Sequence, residues 1–449
     1  MVSLKLLRRS IFITIILFLC LGVYYINKFH RENSIPIKNR FTSVISSIDL
    51  EKEQNQKFFK FNALYNNYIK KHDEAVKKLL KLKQSTVSNS TNLPKVVVVK
   101  PDMKTGIGNR FPGIVCGFLY SIITDRLLFI DGYKDFTDYF EKDFEHNWEK
   151  VANLYQNRSV KSLHSIKKNE FPLIARGNLS SEEVNSYDIL RIHTWDYVCV
   201  PIMSNPNYKE WIKEIIPDYK IFTVISQKLL RLKFDINKQV ENFITNNFGE
   251  YNIGIHLRVR KKTKKTNKMI IPIKHYSQVV EMLLMGIDKK NVTVFIAADT
   301  NESRNNLINY VHKSLDSDNK KFVKIVHINN DMSIENPYSH FNRGTEIGAL
   351  IDMKILSFCD DLVLTYGSTF GYIAAGWSYR SLRRLGPFVV MPERKDEDNF
   401  SLDKIWLWQA RSNEPCMYLG KVLMKTSDPK TVEVFKDNPF WMHYSQGCP

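Results

Sequence analysis

The residues of this chain best suited to chemistry fall at the ends of short apolar runs. "GIHLRVR" ends one run and carries His256 and Arg258. "AADT" ends another and carries Asp299. "TYGSTFG" ends a third, with Ser368 and Thr369 set between Gly367 and Gly371. "KVVVVK", residues 95–100, is followed by the loop "GIGNR", residues 106–110. Arginine offers phosphate oxygens a permanently charged, forked donor. Hydroxyls and free backbone N–H groups at a helix start bind further anionic oxygens, helped by the helix dipole. A carboxylate at a strand end accepts from ribose hydroxyls or from a guanine edge. Together these types fit a nucleoside diphosphate. The 367–371 turn has the composition to hold phosphate: its glycines permit close approach, and Ser368 and Thr369 donate.

Each residue also has a plainer use. Asp299 could cap a helix beginning near Asn301, Arg258 could be a solvated charge, and His256 a core histidine. "GIGNR" is not a dinucleotide fingerprint, and no phosphate-loop motif is present. The conjunction at successive ends of one sheet favours binding.

The elements that must position these residues follow from the rhythm of the chain. From about residue 250, apolar runs alternate with helical patterns. "YNIGIHLRV", "VTVFIAAD", "FVKIVHI", "DLVLTY" and "PFVVMP" read as strands. "KHYSQVVEMLLMG", "NESRNNLINYVHKSL", "RGTEIGALIDMKILSFC" and "STFGYIAAGW" read as helices. That alternation predicts a parallel, doubly wound sheet, whose ligands sit outside the strands' carboxyl ends. Upstream, "KVVVVK", "GIVCGFLYSIITDR" and "LLFID" form a βαβ unit. Residues 133–240 are aromatic-rich, with helical patches in no regular order. In residues 57–83, Phe61, Leu64, Tyr65, Tyr68, Ile69, Ala75, Leu79 and Leu80 recur at helical spacing. They predict an amphipathic helix packed on the globular part or on itself.

The amino terminus points to a compartment. Residues 11–26, "IFITIILFLCLGVYYI", are uninterrupted and apolar. They are short against the roughly 20 residues that span a typical bilayer, but thin membranes accept shorter spans. No small-x-small cleavage pattern follows, so a signal-anchor is expected rather than a cleaved signal peptide. Lys5, Arg8 and Arg9 favour a cytoplasmic amino terminus. The expected organisation is a tail (1–10), an anchor (11–26), a stem (27–92), a first lobe (93–245) and a second lobe with the carboxyl tail (246–449). Sequons at Asn89, Asn157, Asn178, Asn291, Asn301 and Asn399 agree with a lumenal chain. Five cysteines would be lumenal: Cys116, Cys199, Cys359, Cys416 and Cys448. Five is odd, so at least one is left over. Cys416 and Cys448, both in the irregular tail, are the expected pair.

The formal charge is +18, from 65 Lys and Arg against 47 Asp and Glu. The lysines are scattered, and a lumenal placement argues against nucleic acid as the partner. No cysteine or histidine spacing resembles a zinc site.

Three segments resemble the plant xyloglucan α-1,2-fucosyltransferases. "GIGNRFPGIVCGFLYSIITDRLLFID" looks like that family's first motif, and "IGIHLR" like its donor-binding strand. "EIGALIDMKILSFCDDLVLTYGSTFGYIAAG" is similar to its last motif, and "EPC" at 414–416 recurs near its end. The resemblance covers roughly residues 95–425. It implies a B-type glycosyltransferase fold, with two Rossmann-like lobes and a cleft between them. It implies a Golgi type II membrane enzyme moving L-fucose from GDP-fucose to a galactose-containing glycan acceptor with inversion, and with no cofactor or obligatory metal. Carried over by position, Arg258 would bind the diphosphate. Ser368, Thr369, Phe370, Gly371 and Tyr372 would line the donor pocket. Gly108, Asn109 and Arg110 would reach it from the first lobe. His256 and Asp299 would lie around the nucleotide. The chain departs from the wider HxRRxD pattern: it reads "HLRVRK", with Lys261 where the aspartate would stand. Residues 133–240 match the plant proteins poorly, so xyloglucan itself is not implied. Asp102, beside the first lobe's loop, is a candidate general base.

Two other classes make different demands. A metal-dependent A-type glycosyltransferase needs a D-x-D after a strand, but "DSD" at 316–318 and "DED" at 396–398 lie in polar stretches. A membrane-anchored lectin would not need phosphate-type residues at three strand ends.

Overall fold

Four consecutive valines, Val96–Val99, are all fully buried. A strand buried on both faces must lie inside a parallel sheet. In the computed structural model this run is an interior strand of a four-stranded sheet in the first lobe. The structure describes residues 58–84, 93–163, 171–181, 185–194, 196–259, 271–289, 291–315, 322–328, 343–378, 386–391, 407–410, 412–415, 417 and 425–436. Residues 11–26 lie outside them. Among the described residues no helix is long and apolar enough to cross a membrane.

The first lobe opens with α1 (Phe59–Gln84), then β1 (Val96–Val99), α2 (Phe111–Ile123), β2 (Leu127–Ile130), β3 (Val160–Leu163) and β4 (Ile189–Ile192). Its further helices include α3 (Cys199–Ser204) and α4 (Ile221–Leu229). The sheet order is β2-β1-β4-β3, all parallel. The βαβ unit is present, and the unordered 133–240 stretch supplies two more strands.

Helix α1 buries Phe61, Tyr65, His72, Val76 and Leu79 along one stripe. It also finishes the edge strand. Tyr68 accepts from the Leu128 N–H at 2.7 Å and donates to the Arg126 carbonyl at 3.2 Å. His72 Nε2 lies 3.0 Å from the Leu128 carbonyl. Burial holds this imidazole down at about 4, so it is neutral and donates from Nε2. A side-chain cover of this kind removes the unpaired groups of an exposed sheet edge. The predicted amphipathic helix therefore packs on the globular part.

The second lobe begins in space with α5 (Phe234–Asn247), whose Phe243 ring packs on Phe295. Then follow β5 (Tyr251–Leu257), α6 (Ile273–Gly286), β6 (Asn291–Ala298), α7 (Asn301–Leu315), β7 (Phe322–Val326) and α8 (Arg343–Phe358). β8 (Asp361–Thr365), α9 (Thr369–Gly376), β9 (Phe388–Val390) and β10 (Leu407–Gln409) complete it. The strand order is β10-β9-β8-β5-β6-β7, parallel except for β10. This is the doubly wound order, which reverses direction between β5 and β8. The antiparallel β10 was not legible in the rhythm. A last helix, α10 (Pro429–Lys436), returns to the first lobe, where Asp428 lies 3.3 Å from Arg176.

A disulfide joins Cys116 on α2 to Cys199 at the start of α3. It was not expected from the sequence. Cys359 is buried and lends its thiol to the Ile355 carbonyl at 3.6 Å. Cys416 and Cys448, the expected pair, lie outside the described residues.

Candidate functional site at the strand switch point

An open parallel sheet leaves a crevice where its strand order reverses. Here that point lies between β5 and β8, paired at Ile253 with Asp361 and at Ile255 with Val363. The register sets Leu257 beside Thr365. "HLR" and "TYGSTFG" therefore leave the sheet side by side.

Thr365, the last residue of β8, is buried and ties the two exits together. Its hydroxyl donates to the His256 carbonyl at 2.8 Å and accepts from the Arg258 N–H at 2.9 Å. Tyr276 OH lies 2.7 Å away. A threonine hydroxyl carries one proton, already given to His256, so Tyr276 donates. On the other side, Asp299 accepts from the Val259 N–H at 3.2 Å. Asp299 thus braces the Arg258 loop, while Thr300 caps α7 by accepting from the Ser303 N–H at 3.1 Å. The Arg258 side chain is exposed on a backbone held from both flanks.

The turn after β8 needs its glycines for different reasons. Gly367 has φ of +63°, which only glycine adopts readily. At Gly371 a Cβ would lie 3.0 Å from His256 Nδ1 and 3.0 Å from a Leu364 methyl. Without it, the His256 ring stacks on Phe370, with centroids 4.8 Å apart and planes 17° from parallel.

Ser368 is the N-cap residue of α9, yet its side chain makes no capping bond. Its hydroxyl is buried and has no hydrogen-bond partner among the described residues. Leaving such a group unsatisfied costs about 1–3 kcal/mol. Thr369 and Phe370 are half-buried beside it. Tyr372, expected in the pocket, is 1% exposed and packs in the core.

The first lobe meets this turn through Gly108, in a 3-10 turn, Ile107–Asn109. A Cβ there would lie 3.4 Å from the Phe370 Cα. The Asn109 side-chain oxygen is buried with no partner among the described residues. Arg110 is fully buried, and its guanidinium faces Glu346 of α8 at 2.7 Å. Asp102 accepts from the Lys104 N–H at 3.0 Å and so closes the preceding loop. The structure brings together His256, Arg258, Asp299, Ser368, Thr369, Phe370, Gly371, Gly108 and Asn109. Arg110 and Tyr372 are turned into packing.

Sequence reasoning missed Thr365, Tyr276 and Glu346. A lone threonine ending "DLVLT" was the only signal for the first. It also missed the contacts of Glu414, whose carboxylate is buried at the start of α4. Glu414 accepts from the Phe222 N–H at 2.8 Å, the Thr223 N–H at 3.3 Å and the Tyr197 hydroxyl. Burial raises its pKa against these bonds. This contact fastens the carboxyl-terminal segment to the first lobe. Among the described residues no cluster of three or more His, Cys, Asp or Glu is placed to hold a metal. "DSD" and "DED" lie outside them.

The xyloglucan fucosyltransferase family model matches residues 56–177. Probable fucosyltransferase 9 of Arabidopsis thaliana is 24% identical over 69% of this chain and 64% of its own length. Galactoside 2-alpha-L-fucosyltransferase of Pisum sativum is 21% identical over 70% of this chain and 61% of its own. The chain thus spans less than two thirds of these relatives. A solved structure of an Arabidopsis thaliana FUT1 variant in complex with GDP aligns with a TM-score of 0.58. It is 20% identical and covers 79% of this chain and 84% of that one. The fold is therefore shared with that structure. The motifs around the switch point, the family match and the common fold agree: this chain is similar to the plant xyloglucan fucosyltransferases.

Proposed function

We propose that this chain transfers L-fucose from GDP-fucose to a hydroxyl of a galactose-containing glycan, with inversion and without an obligatory metal. The observation that carries the reading is the buried hydroxyl of Ser368 at the start of α9, which has no partner among the described residues. It sits at the switch point of a doubly wound sheet, in the turn after the strand next to the one that presents Arg258. A pyrophosphate there would satisfy the hydroxyl, meet the helix dipole and take the guanidinium. The Pisum sativum relative is named as a galactoside 2-alpha-L-fucosyltransferase, which supports an α-1,2 linkage.

In this reaction the bond between the fucose anomeric carbon and the β-phosphate oxygen breaks, and its electron pair leaves with GDP. The acceptor oxygen bonds to the opposite face of the sugar and loses its proton. Charge grows on the β-phosphate as the sugar becomes oxocarbenium-like. Arg258 and the N–H groups opening α9 meet that charge, and one such donor is commonly worth about 2.7–4 kcal/mol in the barrier. Stacking of Phe370 on His256 and the brace from Asp299 hold the surrounding walls.

The same reading places the chain in the Golgi membrane, with residues 11–26 as a signal-anchor and the catalytic region in the lumen. The Cys116–Cys199 disulfide supports an oxidising compartment.

The test is nucleotide release by residues 45–449 from a panel of sugar nucleotides, with and without EDTA. Chelator-insensitive release from GDP-fucose alone is expected. Release from a UDP-sugar that EDTA abolishes would replace this reading with a metal-dependent enzyme. Glycan binding with no nucleotide binding would replace it with a lectin.

A further inference from the structure

Arg110 is a fully buried charge that the donor reading leaves without a task. Its Nη2 donates to Glu346 Oε1 at 2.7 Å and to the Thr105 carbonyl at 3.3 Å. The other Glu346 oxygen accepts from the Tyr139 hydroxyl at 2.8 Å. The Tyr133 ring lies under the guanidinium, 5.1 Å from its carbon. Arg110, Tyr133 and Tyr139 belong to the first lobe, and Glu346 to α8 of the second. Arg110 directly follows the turn whose Gly108 rests on Phe370. The same short loop therefore touches the second lobe twice, at α8 through a charge and at α9 through backbone.

This pair is poorly built for stability. Arg110 Nε and Nη1 are buried with no hydrogen-bond partner among the described residues. A buried ion pair with unsatisfied groups costs about as much in desolvation as it returns, and apolar replacement of both partners is often neutral or stabilising. What the pair does supply is geometry: a fixed separation between two elements 236 residues apart in sequence.

We propose that Arg110 is a positioning residue. With Glu346 it locks the 105–110 loop onto the second lobe, and so fixes the first lobe against the donor turn at 367–371. The proposal rests on the donor reading given under the proposed function.

The test compares the full chain with Arg110→Met, Glu346→Met and the double variant. Four readouts apply: thermal stability, GDP affinity, steady-state transfer and amide exchange at 106–110 and 369–373. Each single variant strands a buried polar group and melts earlier. The double variant recovers the melting temperature and keeps GDP affinity within about threefold, yet its kcat falls roughly tenfold or more. Its amides at both segments exchange about tenfold faster. Wild-type kcat and exchange in the double variant would overturn the proposal. So would a tenfold loss of GDP affinity with unchanged exchange, since Arg110 would then contact the donor itself. Should the double variant not fold, Glu346→Gln keeps one acceptor oxygen for Arg110 and turns its N–H2 to the Tyr139 hydroxyl, which can accept, while removing the charge. It should show the same changes in smaller measure, and normal kcat and exchange in it would also overturn the proposal. If the wild-type chain binds no GDP, the donor reading fails, and amide exchange still decides the lock.

Discussion

The Thr365 hydroxyl holds the Arg258 backbone, accepting its N–H at 2.9 Å across 107 residues of sequence. The same oxygen donates to the carbonyl of His256. One buried hydroxyl therefore sets the direction in which the arginine leaves the sheet. Thr365→Val keeps the shape but removes the acceptor of the Arg258 N–H and the hydroxyl donor to the His256 carbonyl. It should cost about 1–3 kcal/mol and weaken GDP binding, whereas Thr365→Ser should restore both. Denaturant titration and calorimetric GDP binding check this; a valine variant with unchanged affinity would remove Thr365 from the site.

Ser368→Ala separates a ligand contact from a structural one. Its hydroxyl has no partner among the described residues, so removal should leave the ligand-free melting temperature unchanged or slightly higher. GDP affinity should fall about tenfold, the equivalent of about 1.4 kcal/mol. A drop in ligand-free stability with normal affinity would mean that the hydroxyl serves the fold.

Gly371→Ala places a methyl group against His256 and Leu364. Overpacking of this kind costs about 1–3 kcal/mol, and the displaced His256 ring should lose its stack on Phe370. The chemical shifts of the imidazole protons report the stack directly. Ring-current shifts identical to wild type would show that the turn absorbs the methyl.

Removing the disulfide tests the first lobe by itself. Cys116→Ser with Cys199→Ser opens a loop with a sequence separation of 83 residues. Loss of the link should cost about 2–5 kcal/mol, seen as a lower denaturation midpoint, with GDP affinity retained because neither cysteine touches the donor turn. A matching loss on adding reductant to the wild type would complete the test.

Two buried charges on α8 should give opposite pH signatures. Burial lowers Lys354, whose ammonium lies 4.6 Å from the Trp377 ring centroid, to about 7. Between there and 10.5 the unfolded chain binds the extra proton, so this group adds stability as pH rises through that window. Burial raises Asp352 to about 7, and stability is lost as pH climbs from 3.8 to that value. Lys354→Met should therefore raise the melting temperature below pH 7 and make no difference above pH 10.5. Asp352→Asn should raise it above pH 7 and have no effect below pH 3.8. Differential scanning across pH checks both signs.

Much of the second lobe was legible because its signals are local. A strand or helix announces itself within a window of about 5–18 residues. Every parallel strand from β5 to β9 and each intervening helix lies where that rhythm placed it. The strand ends named His256, Arg258, Asp299, Ser368 and Thr369, since a parallel sheet carries its ligands at one edge whatever its strand order. The first lobe was half legible: β1, α2 and β2 follow from apolar runs. β3 and β4 are hidden in a stretch whose side chains bury aromatics from several directions. β10, three residues long and antiparallel, has no period to read.

What tertiary structure alone decided is which distant residues meet. The order of strands put β5 beside β8, and with it Thr365 beside Arg258. The approach of the lobes turned Arg110 onto Glu346 and set Gly108 on Phe370. Chain crossings brought Glu414 to the start of α4 and Cys116 to Cys199. None of these follows from spacing, because hydrogen bonds, ion pairs and disulfides between elements depend on where separate segments lie in space. Local periodicity fixes what each segment is, and burial of the faces that periodicity creates decides which segments touch.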